Sequence, residues 1–519
     1  IIIGSEISLY DEWSTKLNYT AISHLKNPSE VFLTASFSNY ITLAIALTLG
    51  TLFVVIYKKC VHQHFENYKT GILFSTIKLP IVLGLLLLVI RGGWGDVPLN
   101  TSNAYFSKHI ILNDLAVNPN WNLIQSVLKS KNDFKGNPYK KHTDIECDNF
   151  KAEFSEHKNE FTEPILNTTQ PNIVFIILEG WSADNIETLE GLEGITPHFK
   201  ALEKEGLLFT NFYTNGWTSD QGISSIFSSF PVFPYVAIIN QIDKSRKLPS
   251  LRKSLKNYHA SFFYGGQLTF GNIKGYLLSQ KFDVVKDHND YKNLPAGRLG
   301  VHDEYMFTQF KDELSKLSEP FMSALFTVSS HSPYDFPGEH KLSFNSKSDP
   351  YVNSVAYSDR CLGDFMEQVK SESWYENTLF VLVADHSHRS PREWRVSQKE
   401  RFQIPMLWYG EVLKEGYIGS THQQMGSHVD ISATVLNQLN LGHSEFQWSR
   451  NLLNPSIKPA IPFAFHRGYG LMNRKGYYAF SEDYQKVFEH YYEDSIVGPQ
   501  IKKDAELYFQ SAFQNYLDL

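Results

Sequence analysis

Two short apolar runs end abruptly in reactive chemistry. NIVFIILEG at 172–180 closes on Glu179, and LFVLVADHSH at 379–388 breaks at Asp385-His386. Each is nearly continuous and bounded by turn residues, which predicts strands buried on both faces of a parallel sheet. Strands and helices alternate from 171 onward, as βαβ units do. A helix is expected near TPHFKALEKEG (196–206), with Thr196 as N-cap, Pro197 at its first position and Gly206 as its stop. LFTNFY (208–213) and ASFFYGG (260–266) read as strands. An amphipathic helix at 302–317 feeds a strand at 321–332, and a helix at 354–372 precedes the strand at 379–388. A strand at 403–410 and a helix at 428–441 complete the layer, and the tail holds a small antiparallel meander near 464–480. The fold class is α/β, a mainly parallel sheet between helices. In such sheets ligands bind outside the carboxyl ends of the strands, which is where Glu179, Asp385 and His386 fall.

The first hundred residues are patterned differently. Residues 38–57 carry no charge over about 20 positions, enough for a hydrocarbon core of roughly 30 Å. A second apolar run, 71–94, is interrupted by Lys78 and Pro80; Lys78 can snorkel to one interface and Trp94 suits the other. A pair of buried core helices is the competing reading. Lys58, Lys59 and Lys69 between the runs place that loop in the cytoplasm and the rest outside. The opening Ile-Ile-Ile reads as the end of an earlier span, with sequence missing before it. The expected organisation is a multi-pass membrane region (1–94), an extracytoplasmic helical linker (95–170), a catalytic domain (171–455) and a C-terminal subdomain (456–519). The expected location is the bacterial inner (cytoplasmic) membrane.

Composition narrows the function classes. A chain of 519 residues exceeds one ordinary core. A net charge of −7 argues against a nucleic-acid surface. Cys60, Cys147 and Cys361 are too few and too scattered for a thiolate metal site or a disulfide framework. Nothing in the sequence bears on oligomeric state.

Oxygen and nitrogen donors at Glu179, Asp385 and His386 suit Mn²⁺, Mg²⁺ or Zn²⁺. Acidic residues also close strand ends without binding anything, and both readings stand for either carboxylate alone. A nucleophile beside the ion is available in NGWTSDQGISSIFSSF (215–230), where Thr218 begins a Ser-rich helix whose free N–H groups favour a phosphate. Thr218, Ser219 and Asp220 are equally good helix caps, and the local sequence leaves that reading open.

The ordered set LEGWSADNI (178–186), GITPHFKAL (194–202), NGWTSDQG (215–222), FFYGGQLTFGNIKGYL (262–277), GVHDEYMF (300–307), TVSSHSPY (327–334), SVAYSDRCLGDF (354–365), VADHSH (383–388), IPMLWYG (404–410) and SHVDISATVL (427–436) resembles the lipoteichoic acid synthase branch of the sulfatase/alkaline-phosphatase superfamily. The resemblance covers roughly 170–455. It implies one divalent ion, typically Mn²⁺, on Glu179, Thr218, Asp385 and His386. It also implies that Thr218 takes a phosphoglycerol group from phosphatidylglycerol and passes it to a glycan or lipid acceptor. His331 matches a histidine near the transferred phosphate, and His388 is a further candidate contact. The segment matching the family's Trp and Arg contacts to glycerol phosphate is here TFGNIK (269–274), with neither residue; Gln267, Asn272 and Lys274 are the candidate substitutes. The alternatives are a phosphoethanolamine transferase, a phosphodiesterase, a sulfuric-ester hydrolase or a catalytically silent envelope protein. WTSDQG lacks the Cys/Ser-x-Pro-x-Arg context of a formylglycine sulfatase, and no cysteine flanks Thr218 as in phosphoethanolamine transferases.

Overall fold

The computed structural model describes residues 6, 10, 16–17, 37–62, 72–95, 98–130, 136–156, 160–339, 341–344, 346–482, 484–495 and 497–519. The chain forms two compact units, Ile1–Lys135 and Gly136–Leu519.

The first unit contains helices Phe37–Tyr57, Ile72–Arg91, Ile110–Ala116 and Pro119–Ser130. Among the described residues no helix is long and apolar enough to cross a membrane. The expected multi-pass region is therefore not supported. Phe37–Tyr57 and Ile72–Arg91 nevertheless expose apolar side chains, Phe53 at 69% and Val89 at 72%. The expected outer loop and earlier span, and most of the loop between the two runs, lie outside the described residues.

The second unit opens with the helix Asp144–Phe154, closed at its start by a reciprocal Thr143–Glu146 capping box. An eight-stranded sheet follows, built from β1 (Asn172–Leu178), β2 (Gly206–Phe209), β4 (His259–Tyr264), β5 (Val284–Lys286), β6 (Phe321–Phe326), β7 (Thr378–Ala384), β8 (Met406–Tyr409) and β9 (Ser420–His422). The order is β5-β4-β6-β1-β7-β8-β2-β9, and only β8 runs antiparallel to its neighbours. β1, β6 and β7 are buried at every position, which is why their sequences do not alternate. The mainly parallel α/β sheet is the one expected.

Two elements differ from expectation. The run 208–213 is not one strand: it breaks at Thr210-Asn211, and β3 (Phe212–Tyr213) leaves the large sheet to pair with β10 (Gly426–Ser427). Thr196 sits at the N-cap of the helix Pro197–Glu203, but its hydroxyl donates to the Asn185 carbonyl at 2.7 Å. The cap comes from Asp359 on the helix Asp349–Val369, whose carboxylate accepts from the His198 and Phe199 amides at 2.9 and 2.8 Å. A carboxylate reaching across from another helix does what the local threonine was expected to do.

The tail forms a four-stranded antiparallel sheet, β11 (Ile461–Phe465), β12 (Gly468–Asn473), β13 (Gly476–Ser481) and β14 (Lys486–Tyr492), followed by the helix Val497–Asp518. Phe463, Phe465, Met472 and Tyr477 pack with Tyr213, Phe402 and Met425. The sheet is thereby joined to the end of β3, the turn Lys399–Phe402 and the residue before β10. The buried Arg450 clasps Asp430 with two nitrogens, each 3.1 Å from a carboxylate oxygen. That fork holds the start of the helix Ile431–Gln438.

Candidate active site

β1 and β7 are adjacent and parallel, with Leu178 in register with Ala384. The residues that follow them, Glu179 and Asp385, therefore leave the sheet side by side. One ligand atom each from Glu179, Asp385 and His386 lies within 4.8 Å of the others. His386 Nε2 is 3.7 Å from Glu179 Oε1 and 3.5 Å from Asp385 Oδ2. Its Nδ1 lies 3.1 Å from the Ser387 carbonyl, a pairing that assigns the proton to Nδ1 and turns the Nε2 lone pair toward the carboxylates.

The backbone beneath is tightly held. Gly180, at φ +62°, donates its amide to Asp385 Oδ1 at 2.8 Å, and its carbonyl accepts the Tyr351 hydroxyl at 2.8 Å. The Glu179 amide donates to Thr327 Oγ1 at 2.9 Å, and the Ser330 hydroxyl donates to the Glu179 carbonyl at 2.7 Å. The loop after β6 is braced by Asp303, a buried carboxylate in GVHDEYMF. It accepts from the Val328 and Ser329 amides at 2.8 and 3.2 Å and from the Ser358 hydroxyl at 2.8 Å. The sequence gives Asp303 the look of an ordinary residue in the first turn of a helix, because its partners lie some 25 and 55 positions away.

Burial and the adjacent Asp385 push the Glu179 carboxyl well above its usual range. Asp385 Oδ2 is buried and has no hydrogen-bond partner. Two crowded carboxylates, one with a bare oxygen, and a facing imidazole nitrogen form a donor set that fits a hard or borderline divalent cation.

Thr218 caps the helix Ser219–Ser228, as its position suggested, with extended backbone and no side-chain bond to the helix amides. Its hydroxyl donates to Asp220 Oδ1 at 2.5 Å. Ser219 is the hydroxyl closer to the cluster here, 3.4 Å from Glu179 Oε2 and 3.5 Å from His386 Nε2. The helix approaches the β7 end so closely that a Cβ on Gly222 would fall 2.1 Å from the Asp385 carbonyl oxygen.

The other expected contacts divide. His331 is half-buried, its Nδ1 2.7 Å from the Ser332 carbonyl, and it lines a small cleft with His302 and Asp335. His388 stacks on Tyr351 with ring centroids 4.0 Å apart. It lies 3.2 Å from the Tyr334 hydroxyl and accepts from the Ser390 amide at 3.1 Å. Burial, then the Arg401 charge, pushes its pKa down to about 3. Asn272 is buried in left-handed backbone and donates its amide to the Ile239 carbonyl at 2.6 Å, which gives it a structural task. Gln267, ahead of it, and Lys274, in the first turn of the helix Ile273–Ser279, are half-buried. A Cβ on Gly271 would be 3.4 Å from that of Asp220, so the TFGNIK segment lies against the Thr218 turn. Arg401, absent from the candidates drawn from sequence, donates to the Ser387 carbonyl beside His386.

Residues 171–441 match the sulfatase family. The chain belongs to that family. Among sulfatase-family relatives, it is 24% identical over 361 residues to lipoteichoic acid synthase 2 of Bacillus subtilis, covering 64% of this chain and 52% of that protein. It is 23% identical over 413 residues to phosphoglycerol transferase I of Escherichia coli, covering 73% and 51%. The chain thus spans about half the length of these curated relatives. A solved alkaline phosphatase superfamily protein from Vibrio parahaemolyticus superposes with a TM-score of 0.62 at 25% identity, over 73% of this chain and 97% of that one.

Proposed function

We propose that this sulfatase-family chain is a metal-dependent phosphotransferase. It moves a phosphoglycerol-type headgroup from a phospholipid such as phosphatidylglycerol to a glycan or lipid acceptor of the cell envelope. The observation that carries the reading is the meeting of Glu179, Asp385 and His386 with the helix start behind Thr218. The names of the relatives supply the substrate class.

Glu179, Asp385 and His386, joined by the Thr218 hydroxyl, would hold one divalent ion, Mn²⁺ in first place and Mg²⁺ or Zn²⁺ as alternatives. When bound, such an ion supplies positive charge to phosphoryl oxygens and lowers the pKa of a bound hydroxyl. Thr218 Oγ1 attacks phosphorus and its proton passes to Asp220, which already accepts that hydrogen bond. The P–O bond to diacylglycerol breaks, and the leaving alkoxide takes a proton, a task that suits His331. An acceptor hydroxyl then attacks the phosphothreonine, giving its proton to His331, and displaces Thr218 Oγ1, which recovers its proton from Asp220. The helix amides behind Thr218 and their dipole favour the phosphate throughout. A lipid donor is met at a membrane surface, and the exposed apolar faces of Phe37–Tyr57 and Ile72–Arg91 support contact with lipid.

The test is to incubate the full chain and Mn²⁺ with phosphatidylglycerol labelled in its headgroup, then map labelled peptides. Label on the Thr218 peptide, absent from Thr218→Ala and chased by acceptor, is expected. Equal turnover by Thr218→Ala would overturn the covalent route, and label on Ser219 would reassign the nucleophile. A parallel run with phosphatidylethanolamine reads the headgroup preference, since TFGNIK (269–274) carries neither Trp nor Arg.

A further inference from the structure

Beside the four-stranded sheet lies a cavity of about 420 Å³, within the size range of small-ligand sites. Tyr213 on β3, Tyr477 on β13 and Tyr491 on β14 line it, with Asn473 and Arg474 from the end of β12 and the following turn. Lys399 enters from the turn Lys399–Phe402. None of Glu179, Thr218, Asp385 and His386 lines it, so it is separate from the catalytic cluster.

Its chemistry is specific. Among the described residues its lining carries two cations, Lys399 and Arg474, and no carboxylate, in a chain whose net charge is −7. Arg474 is steadied by a neutral partner, donating to Gln424 Oε1 at 2.8 Å, while the Gln424 amide donates to the Ile457 carbonyl at 3.1 Å. The nearby Glu489 is engaged by Arg395 at 2.7 Å and by the Ser397 hydroxyl at 3.0 Å. Tyr213, Met472 and Tyr477 also belong to the packed cluster that joins the sheet to the rest of the unit. The floor of the cavity is therefore fixed before any ligand arrives, which lowers the ordering cost of binding.

We propose that this cavity is a subsite for a phosphate-bearing sugar or polyol, and that such a ligand is part of the acceptor chain. Tyrosine rings offer flat apolar faces with hydroxyls at their edges, Asn473 offers both a donor and an acceptor to ligand hydroxyls, and the two cations suit a phosphate. Two lining residues stand close in the chain to residues of the catalytic site. Tyr213 precedes Thr218 on the same short segment, and Lys399 shares its turn with Arg401, which donates to the Ser387 carbonyl next to His386. The acceptor role rests on the phosphotransfer reading; the binding itself does not.

The experiment titrates the full chain with glucose 6-phosphate by calorimetry, with glucose and inorganic phosphate as separate probes. Tyr491 and Lys399 are exposed, so Tyr491→Ala and Lys399→Ala test the site without touching the core. Saturable binding of glucose 6-phosphate is expected, weakened about tenfold by either variant and unchanged in Asp385→Asn. No saturable binding, equal affinity in both surface variants, or loss in Asp385→Asn alone would overturn the subsite. Inorganic phosphate binding as tightly as the sugar phosphate would also overturn it, reducing the site to an anion patch. With phosphatidylglycerol as donor, Tyr491→Ala should raise the acceptor KM and leave headgroup release to water unchanged. Binding without any headgroup turnover would sink the phosphotransfer reading and leave the subsite standing.

Discussion

The Thr218 hydroxyl donates to Asp220 Oδ1 at 2.5 Å, two residues along the same turn. Burial pushes the Asp220 carboxyl up, and a carboxylate of raised pKa is the better proton acceptor. Asp220→Asn should therefore lower kcat about 10²–10⁴-fold while leaving the donor KM little changed. An unchanged kcat in steady-state assays would reduce Asp220 to a cap of the helix.

Asp385 is fully buried with one bare oxygen, beside a second buried carboxylate. Asp385→Asn keeps an oxygen to accept the Gly180 amide but removes a charge. Affinity for Mn²⁺ should fall by more than the roughly 10–100-fold typical of outer-sphere changes. Thermal unfolding in chelator should be unchanged or shifted upward, because a like-charge contact is relieved. A large fall in melting temperature without metal would mean that the pair serves the fold.

Gly222 is the point where the helix behind Thr218 touches the β7 end. Gly222→Ala places a methyl group 2.1 Å from the Asp385 carbonyl oxygen, and backbone cannot swing aside as a side chain can. A destabilisation of about 1–3 kcal/mol is expected in denaturant unfolding, with a loss of activity larger than the stability change explains, since the shift moves Thr218 relative to the cluster.

His428 is buried, and its Nε2 lies 2.7 Å from the Ala384 carbonyl, just ahead of Asp385. Burial pushes its pKa down to about 4, against about 6.5 in an unfolded chain. Between those values the unfolded chain binds a proton that the folded chain does not. This group's contribution to stability is accordingly complete above about pH 6.5 and declines as the pH falls toward 4. His428→Phe should cost about 1–3 kcal/mol at pH 8 through the lost hydrogen bond, with the deficit shrinking toward pH 4. A deficit constant across that window in thermal scans would show that the ring does not titrate on unfolding.

The strands were legible because burial on both faces leaves a plain apolar run, as in β1, β6 and β7. The C-terminal helix Val497–Asp518 also carries a local signal. Ile501, Ala505, Tyr508, Phe509, Ala512, Phe513 and Tyr516 recur at helical spacing and are buried. Asp359 and Asp303 were not legible as a helix cap and a loop brace, because each carboxylate acts on backbone far away in the chain. The apolar runs near the N-terminus suggested membrane spans from composition, and among the described residues no helix is long and apolar enough to cross a membrane.

By itself the sequence determined which residues end the buried strands, and with them a carboxylate and a carboxylate–imidazole pair at one sheet edge. Local pattern suffices for that, since strand burial and strand ends are written in neighbouring residues. Only the tertiary structure decided that β1 and β7 are neighbours in register, which sets Glu179 beside Asp385. It alone brought Ser219 near the cluster and gathered the basic, tyrosine-lined cavity. Strand order and side-chain direction arise from contacts between segments far apart in the chain, and no local pattern encodes them.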